Sequence, residues 1–301
     1  MNGSTPLFFL GGPTASGKTD VAHLLADQLG LRLLSVDSMM VYRHLDIGTA
    51  KPTSEEQERY AYAGVNLVDP GQRFSTGHWL RAIREQLDDR PTLAVGGTGL
   101  YFKALMLGLD EDTRQDRGET PDVAFMQREL ERLKPGILSS LADPENPRRL
   151  ERALLRIQEG KDLPGRWIGD RGVMMPVLHW PPHELNERIE SRIRMMFEQG
   201  LLAEVSALQQ MGALTGTASQ AIGYQEAEAV LEGTASREEA IQALATRTRR
   251  YAKRQRTWFR NQMNSRWIEV RNDQDRNRLA DEVRGVWEET GPFLFSRETG
   301  D

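Results

Sequence analysis

The stretch Pro6–Thr19, PLFFLGGPTASGKT, carries the strongest structural signal in the chain. Residues 6–10 are a short apolar run that stops at Gly11-Gly12 and reads as a first strand. Gly12, Pro13, Thr14, Ala15, Ser16, Gly17, Lys18 and Thr19 then fit the pattern G-x-x-x-x-G-K-[ST]. Beyond them Val21, Leu24, Leu25 and Leu29 recur at helical spacing, which predicts a helix over 18–29. A strand before the glycine run and an amphipathic helix after it are the context of a phosphate-binding loop. The glycines let backbone amides turn inward, and the helix adds the positive end of its dipole. Lys18 supplies a point charge, and the Thr19 hydroxyl is placed to ligate Mg²⁺. The pattern is specific for phosphate and silent about which phosphate.

Further along the chain, LRLLSV (31–36) and PTLAV (91–95) also read as strands. Between them Trp79, Leu80, Ile83 and Leu87 give a helix over 75–87, with Ser75 or Thr76 as its cap. Alternating strands and helices imply an α/β fold, a P-loop NTPase-like parallel sheet covered by helices. VMMPVLH (173–179) returns to strand character before Trp180-Pro181-Pro182 stops it. Long helices are expected over 183–211 and 236–263, a short strand over 267–270, and a frayed end after about 290. The core is therefore assigned to 1–112 and 171–275, and a C-terminal helix and tail to 276–301. Residues 113–170 form a helical insertion, reached through a polar connector at 110–120.

The chain has 301 residues, 39 % of them hydrophobic and 28 % charged, which suits a soluble protein with a real core. No apolar run approaches the roughly 20 residues that span a bilayer, and nothing resembles an export signal. The expectation is a cytoplasmic, monomeric protein with no membrane partner. Without cysteine there is no disulfide, thiol catalysis or Cys-ligated zinc. A net charge of −5 excludes a uniformly basic surface but permits one basic face.

Three further features carry chemistry. Asp37 follows the second strand and should emerge at the carboxyl edge of the sheet, beside the phosphate loop. There it either caps the next turn or accepts a proton. Gly96-Gly97-Thr98-Gly99 brings the Thr98 hydroxyl to the same edge, either in a plain turn or against a phosphate oxygen. RTRRYAKRQRTWFR (247–260) carries seven cations and no acid, with Arg249, Lys253, Arg256 and Arg260 on one helical face. In an acidic protein that segregation points to a polyanion such as RNA. Arg148, Arg149, Arg152 and Arg156 form a smaller set on the insertion. His179 and His183 have metal-like spacing, but two prolines lie between them. A kinase using ATP and a nucleotide-gated RNA-binding switch both remain compatible with the loop alone.

The motifs GGPTASGKT, SVDSMMVY, DIGTAKPT, VGGTGLYFKAL, FEQGLLAEV, QAIGY and YAKRQRTWFRNQ, in that order, resemble the bacterial tRNA dimethylallyltransferase family. The resemblance runs from about residue 7 to 270 and is weakest over 110–170. It implies transfer of a dimethylallyl group from dimethylallyl diphosphate to the exocyclic amine of the adenosine 3′ of the anticodon. The tRNAs would be those that read codons beginning with U. Gly12–Thr19 would grip diphosphate and Mg²⁺, Asp37 would be the general base, and Thr98 would bind the leaving diphosphate. Asp37, Ser38, Met39 and Met40 would meet the anticodon stem-loop, as would the cations of the basic helix. Gln220 stands where some relatives have arginine. Ala124, after Pro121-Asp122-Val123, likewise lacks an arginine found in others.

Overall fold

The structure is a computed structural model that describes residues 3–108, 122–141, 143–161, 163, 173–272 and 274–297. The chain divides into two compact units, Met1–Gly108 with Arg171–Asp301, and Leu109–Asp170. The polar connector at 110–120 lies outside the described residues.

In chain order the elements begin with β1 (Ser4–Gly11), α1 (Lys18–Leu29), β2 (Arg32–Val36), α2 (Ser54–Arg59), α3 (Thr76–Gln86), β3 (Thr92–Gly96) and α4 (Gly99–Leu107). Helices α5 (Val123–Leu133) and α6 (Pro147–Gln158) belong to the smaller unit. The chain continues with β4 (Met175–His179), α7 (Pro182–Glu198), α8 (Leu201–Gln210), α9 (Tyr224–Leu231), α10 (Arg237–Gln262), β5 (Ser265–Glu269), α11 (Arg276–Thr290) and β6 (Phe293–Ser296).

The strands run in the order β2-β3-β1-β4-β5, all parallel. β2 and β3 are almost entirely buried, as near-continuous apolar runs covered on both faces should be. The register aligns Val36 with Gly96 and Gly96 with Gly11. The phosphate loop, Asp37 and the second glycine turn therefore leave the sheet side by side. At Gly96 an added β-carbon would lie 2.1 Å from the Val36 carbonyl oxygen, so only glycine lets the strands end this close together.

Two expectations are corrected. The helix expected over 183–211 is two helices, α7 and α8, because Gly200 adopts φ 105° and breaks the ladder between them. The described part of the end after 290 is not frayed: Phe293–Ser296 pair antiparallel with Ser4–Leu7 of β1. Phe295 is buried while Leu294 faces out, a strand alternation short enough to pass for a tail. Preceding it, α11 anchors the strand through Trp287, whose indole N–H donates to the Phe9 carbonyl at 2.9 Å.

In the smaller unit α5 and α6 pack around Met126, Leu130, Leu150 and Leu154, a core separate from that of the sheet. Ala124 lies exposed on α5.

Candidate active site

A cavity of about 310 Å³ opens at the carboxyl edge of the sheet, between the phosphate loop, the segment after β2, and helices α7 and α10. Its size is at the small end of ligand pockets. Thr14, Ala15, Lys18, Thr19, Asp37, Ser38, Met39 and Met40 all line it. One wall is apolar, with Met39, Ile193, Met196, Ile222 and Leu244.

The loop wraps as the glycine pattern requires, with Ala15 at φ 62° and Gly17 at φ 82°. Trp180 and Arg188 brace it from outside, donating to the carbonyls of Ser16 at 3.0 Å and Ala15 at 2.9 Å. Arg192, one turn along α7, reaches the Thr14 hydroxyl at 3.4 Å. Lys18 folds back on the Pro13 carbonyl at 3.3 Å. Burial and the nearby Arg192 depress Lys18 to about 8, with Asp37 pulling the other way. Burial lowers Arg192 too. Among the described residues none of these three cations has an ion-pair partner within 4 Å, so the site has an unmet demand for an anion.

Asp37 Oδ1 accepts the amides of Met39 at 2.8 Å and Met40 at 3.4 Å. Oδ2 has no hydrogen bond from the described residues, and the carboxylate faces the cavity. The capping and proton-accepting roles are thus compatible, one per oxygen. Thr98 is not among the lining residues: its Oγ1 accepts the Ser38 amide, and it is hydrogen-bonded to Tyr251, which does line the cavity. The Tyr251 hydroxyl is pushed up by burial and by Asp37.

The far wall is built from DIGTAKP. Glu204 of α8 accepts the amides of Asp46, Ile47 and Gly48 and the Tyr224 hydroxyl. Lys51 turns inward to Tyr42, Asp46 and Asn66. Gly48, Thr49, Ala50 and Pro52 are thereby held against the cavity.

The basic helix divides into two faces. Leu244, Thr248, Tyr251 and Gln255 face the cavity. Arg249, Lys253, Arg256 and Arg260 repeat that spacing five residues later, so they are turned roughly 140° away. The structure does not bring them to the cavity. They form an outer row in which Arg260 lies over Trp267, 5.9 Å from its centroid. Burial depresses the nearby His179, and Arg256 and Arg260 add to it. No ion pair to this row occurs among the described residues. The cavity instead receives Arg247 and Arg254, and Arg247 is tied to Glu226 at 3.1 Å and to the Gln220 carbonyl. Gln220 lines the cavity with a neutral side chain.

Motif reading overlooked Arg188, Arg192 and Glu204. The available signal was two arginines four residues apart, each beside a core isoleucine (Ile189, Ile193), which places charge next to a buried face. No group of three or more His, Asp or Glu side chains forms a metal cluster among the described residues. An Mg²⁺ ion would thus depend on the Thr19 hydroxyl and on phosphate oxygens, a donor set that suits it.

Fold and site together define a protein with a glycine-lysine loop at the carboxyl edge of a parallel sheet, beside a cavity with one apolar wall. The family model described as IPP transferase matches residues 40–262, and that described as isopentenyl transferase matches 5–62. A tRNA dimethylallyltransferase of Pelotomaculum thermopropionicum is 35 % identical over 305 residues, covering 94 % of this chain and 96 % of the relative. That of Methylococcus capsulatus is 36 % identical over 307 residues, covering 93 % and 97 %. The solved full-length tRNA isopentenylpyrophosphate transferase of Bacillus halodurans superposes with TM-score 0.65 at 32 % identity, covering 94 % of this chain and 97 % of that one. The chain belongs to the tRNA dimethylallyltransferase (IPP transferase) family, whose members are prenyltransferases.

Proposed function

We propose that the protein transfers the dimethylallyl group of dimethylallyl diphosphate to the exocyclic amine of the adenosine 3′ of the anticodon, in tRNAs that read codons beginning with U. Diphosphate is the other product. The observation that carries the donor half is the gathering of Lys18, Arg188 and Arg192 round one loop with no counter-ion within 4 Å among the described residues. A diphosphate supplies that charge, and the apolar wall suits a short branched hydrocarbon. The acceptor half rests on family membership, on the outer cation row and on the resemblance of the SVDSMMVY segment.

The amine of adenine is a poor nucleophile because its lone pair is delocalised into the ring. As its nitrogen bonds to the allylic carbon, the carbon–oxygen bond to diphosphate breaks and the electron pair leaves with the phosphate. Asp37 takes the amine proton on Oδ2. Lys18, Arg192 and the loop amides meet the charge developing on diphosphate. A bound Mg²⁺, held by Thr19 and the diphosphate, would add neutralising charge there. Thr98 holds the Ser38 amide and so fixes the start of the Asp37 turn. To reach Asp37 the adenine must leave the anticodon-loop stack, and Ser38, Met39 and Met40 line its place.

The test is to incubate a set of unmodified tRNAs with dimethylallyl diphosphate and Mg²⁺ and map the modified nucleoside by mass spectrometry. Modification of the adenosine 3′ of the anticodon, confined to readers of codons beginning with U, is expected. Modification elsewhere, or without that tRNA preference, contradicts the reading.

A further inference from the structure

The glycine-lysine loop of this fold commonly holds nucleoside triphosphates, so a diphosphate-specific protein needs a means of refusing the third phosphate. We propose that Gln255 is that means: it shortens the cradle to diphosphate length and so selects diphosphate esters over triphosphates. The proposal rests on the diphosphate reading above and deepens it.

Gln255 lies on the cavity face of α10 and is only 5 % exposed. Its Oε1 accepts the Thr14 amide at 2.9 Å, and its Nε2 donates to the Gly97 carbonyl at 3.0 Å. The pair of bonds fixes the orientation of the amide, since the flipped form would set donor against donor and acceptor against acceptor. Pro13 has no N–H, so Thr14 carries the first amide this part of the loop can offer, and Gln255 consumes it. Ser16 turns its own amide back to the Pro13 carbonyl at 3.3 Å. Among the described residues no hydrogen bond takes the amides of Ala15, Gly17, Lys18 and Thr19, which are left to meet an anion.

Space closes at the same end. A β-carbon added at Gly97 would lie 2.1 Å from Nε2, so the glutamine fills the gap between the two glycine turns. Tyr251, also hydrogen-bonded to Gln255, packs beside it. A phosphate chain extended past Thr14 would have to displace a buried side chain that holds two hydrogen bonds. It would also meet the lone pairs of a carbonyl oxygen where an N–H would otherwise stand. That combines a steric block with a repulsive one.

The experiment is calorimetric titration of the full chain, with Mg²⁺, against inorganic diphosphate and inorganic tripolyphosphate. Wild type is expected to bind diphosphate at least about tenfold more tightly. Gln255→Ala should narrow that preference by about tenfold or more, mainly through a gain in tripolyphosphate affinity. Thermal melts check folding. If the alanine variant does not fold, Gln255→Met, which keeps the bulk but frees the Thr14 amide, should narrow the preference several-fold. A wild type that prefers tripolyphosphate, or folded variants that keep the wild-type ratio, would overturn the role of Gln255. A wild type that binds neither anion while its transfer activity is also absent removes the diphosphate reading itself.

Discussion

The amide of Ser38 donates to the hydroxyl oxygen of Thr98 at 3.1 Å, joining the turn after β2 to the turn after β3. The neighbouring Asp37 carboxylate is thus held from two sides, by its own Met39 and Met40 amides and by the Thr98 anchor. Thr98→Ala removes the anchor and is expected to lower kcat about tenfold, the weight of one hydrogen bond near the reacting atoms. Thr98→Ser should recover most of the loss. Steady-state rates of prenyl transfer decide it, and an alanine variant as fast as wild type would free Thr98 from any role.

Lys18 gives a prediction with a sign. Its value of about 8 in the folded protein lies below the ordinary 10.5, because burial and Arg192 oppose the charge. Below about pH 8 the folded chain therefore carries the full penalty of the charged amine. Stability of the empty protein rises as pH climbs from about 8 to 10.5, where the unfolded chain binds more protons. Lys18→Met should raise unfolding stability at pH 7 by roughly 1–3 kcal/mol while abolishing stabilisation by diphosphate. Diphosphate affinity of wild type should also fall above about pH 8 relative to Lys18→Arg, whose charge persists there. Urea titrations with and without diphosphate across pH check both signs. A variant no more stable than wild type would show that Lys18 is not stored at a cost.

Much of this was legible in the sequence, and the reasons are local. Strand PLFFL, loop GGPTASGKT and helix 18–29 are each encoded within a few residues. Their register beside Asp37 and Thr98 follows from the habit of parallel sheets to place loops on one edge. What escaped depends on distance along the chain. Arg188 and Arg192 meet the loop only because α7 packs over it, and Glu204 meets Asp46–Gly48 only because α8 does. Periodicity identified a cationic face on α10 but not which way the helix would turn it. The cavity went to the neighbouring face, with Tyr251 and Gln255.

The two faces of α10 should separate the two substrates. Neutralising Arg249, Lys253 and Arg256 together is expected to weaken tRNA binding and flatten its dependence on salt, by up to about one logarithmic unit of slope for each phosphate no longer neutralised. Diphosphate affinity should stay unchanged. Arg192→Ala should do the reverse. Filter-binding at several salt concentrations, beside diphosphate titrations, measures both. Equal effects of the two variants on both ligands would contradict a division by face.

Glu204 holds the cavity's far wall with both oxygens, each accepting two donors. Glu204→Gln turns one oxygen into a donor facing the donors of Asp46 and Ile47, or those of Gly48 and Tyr224. The loss is expected to be about 1–3 kcal/mol in urea unfolding, because charge-assisted bonds disappear and part-buried donors are stranded. A change below about 1 kcal/mol would mean that the loop keeps its shape without the carboxylate.

In the proposed reaction the phosphate loop holds a leaving group that departs whole. The most direct measurement is a reaction with unmodified tRNA and dimethylallyl diphosphate labelled with carbon-14 in the prenyl group and phosphorus-32 in the diphosphate. All transferred carbon should appear in tRNA, with an equal amount of phosphorus released as inorganic diphosphate. Phosphorus in tRNA, orthophosphate as the direct product, or carbon absent from tRNA would contradict the account.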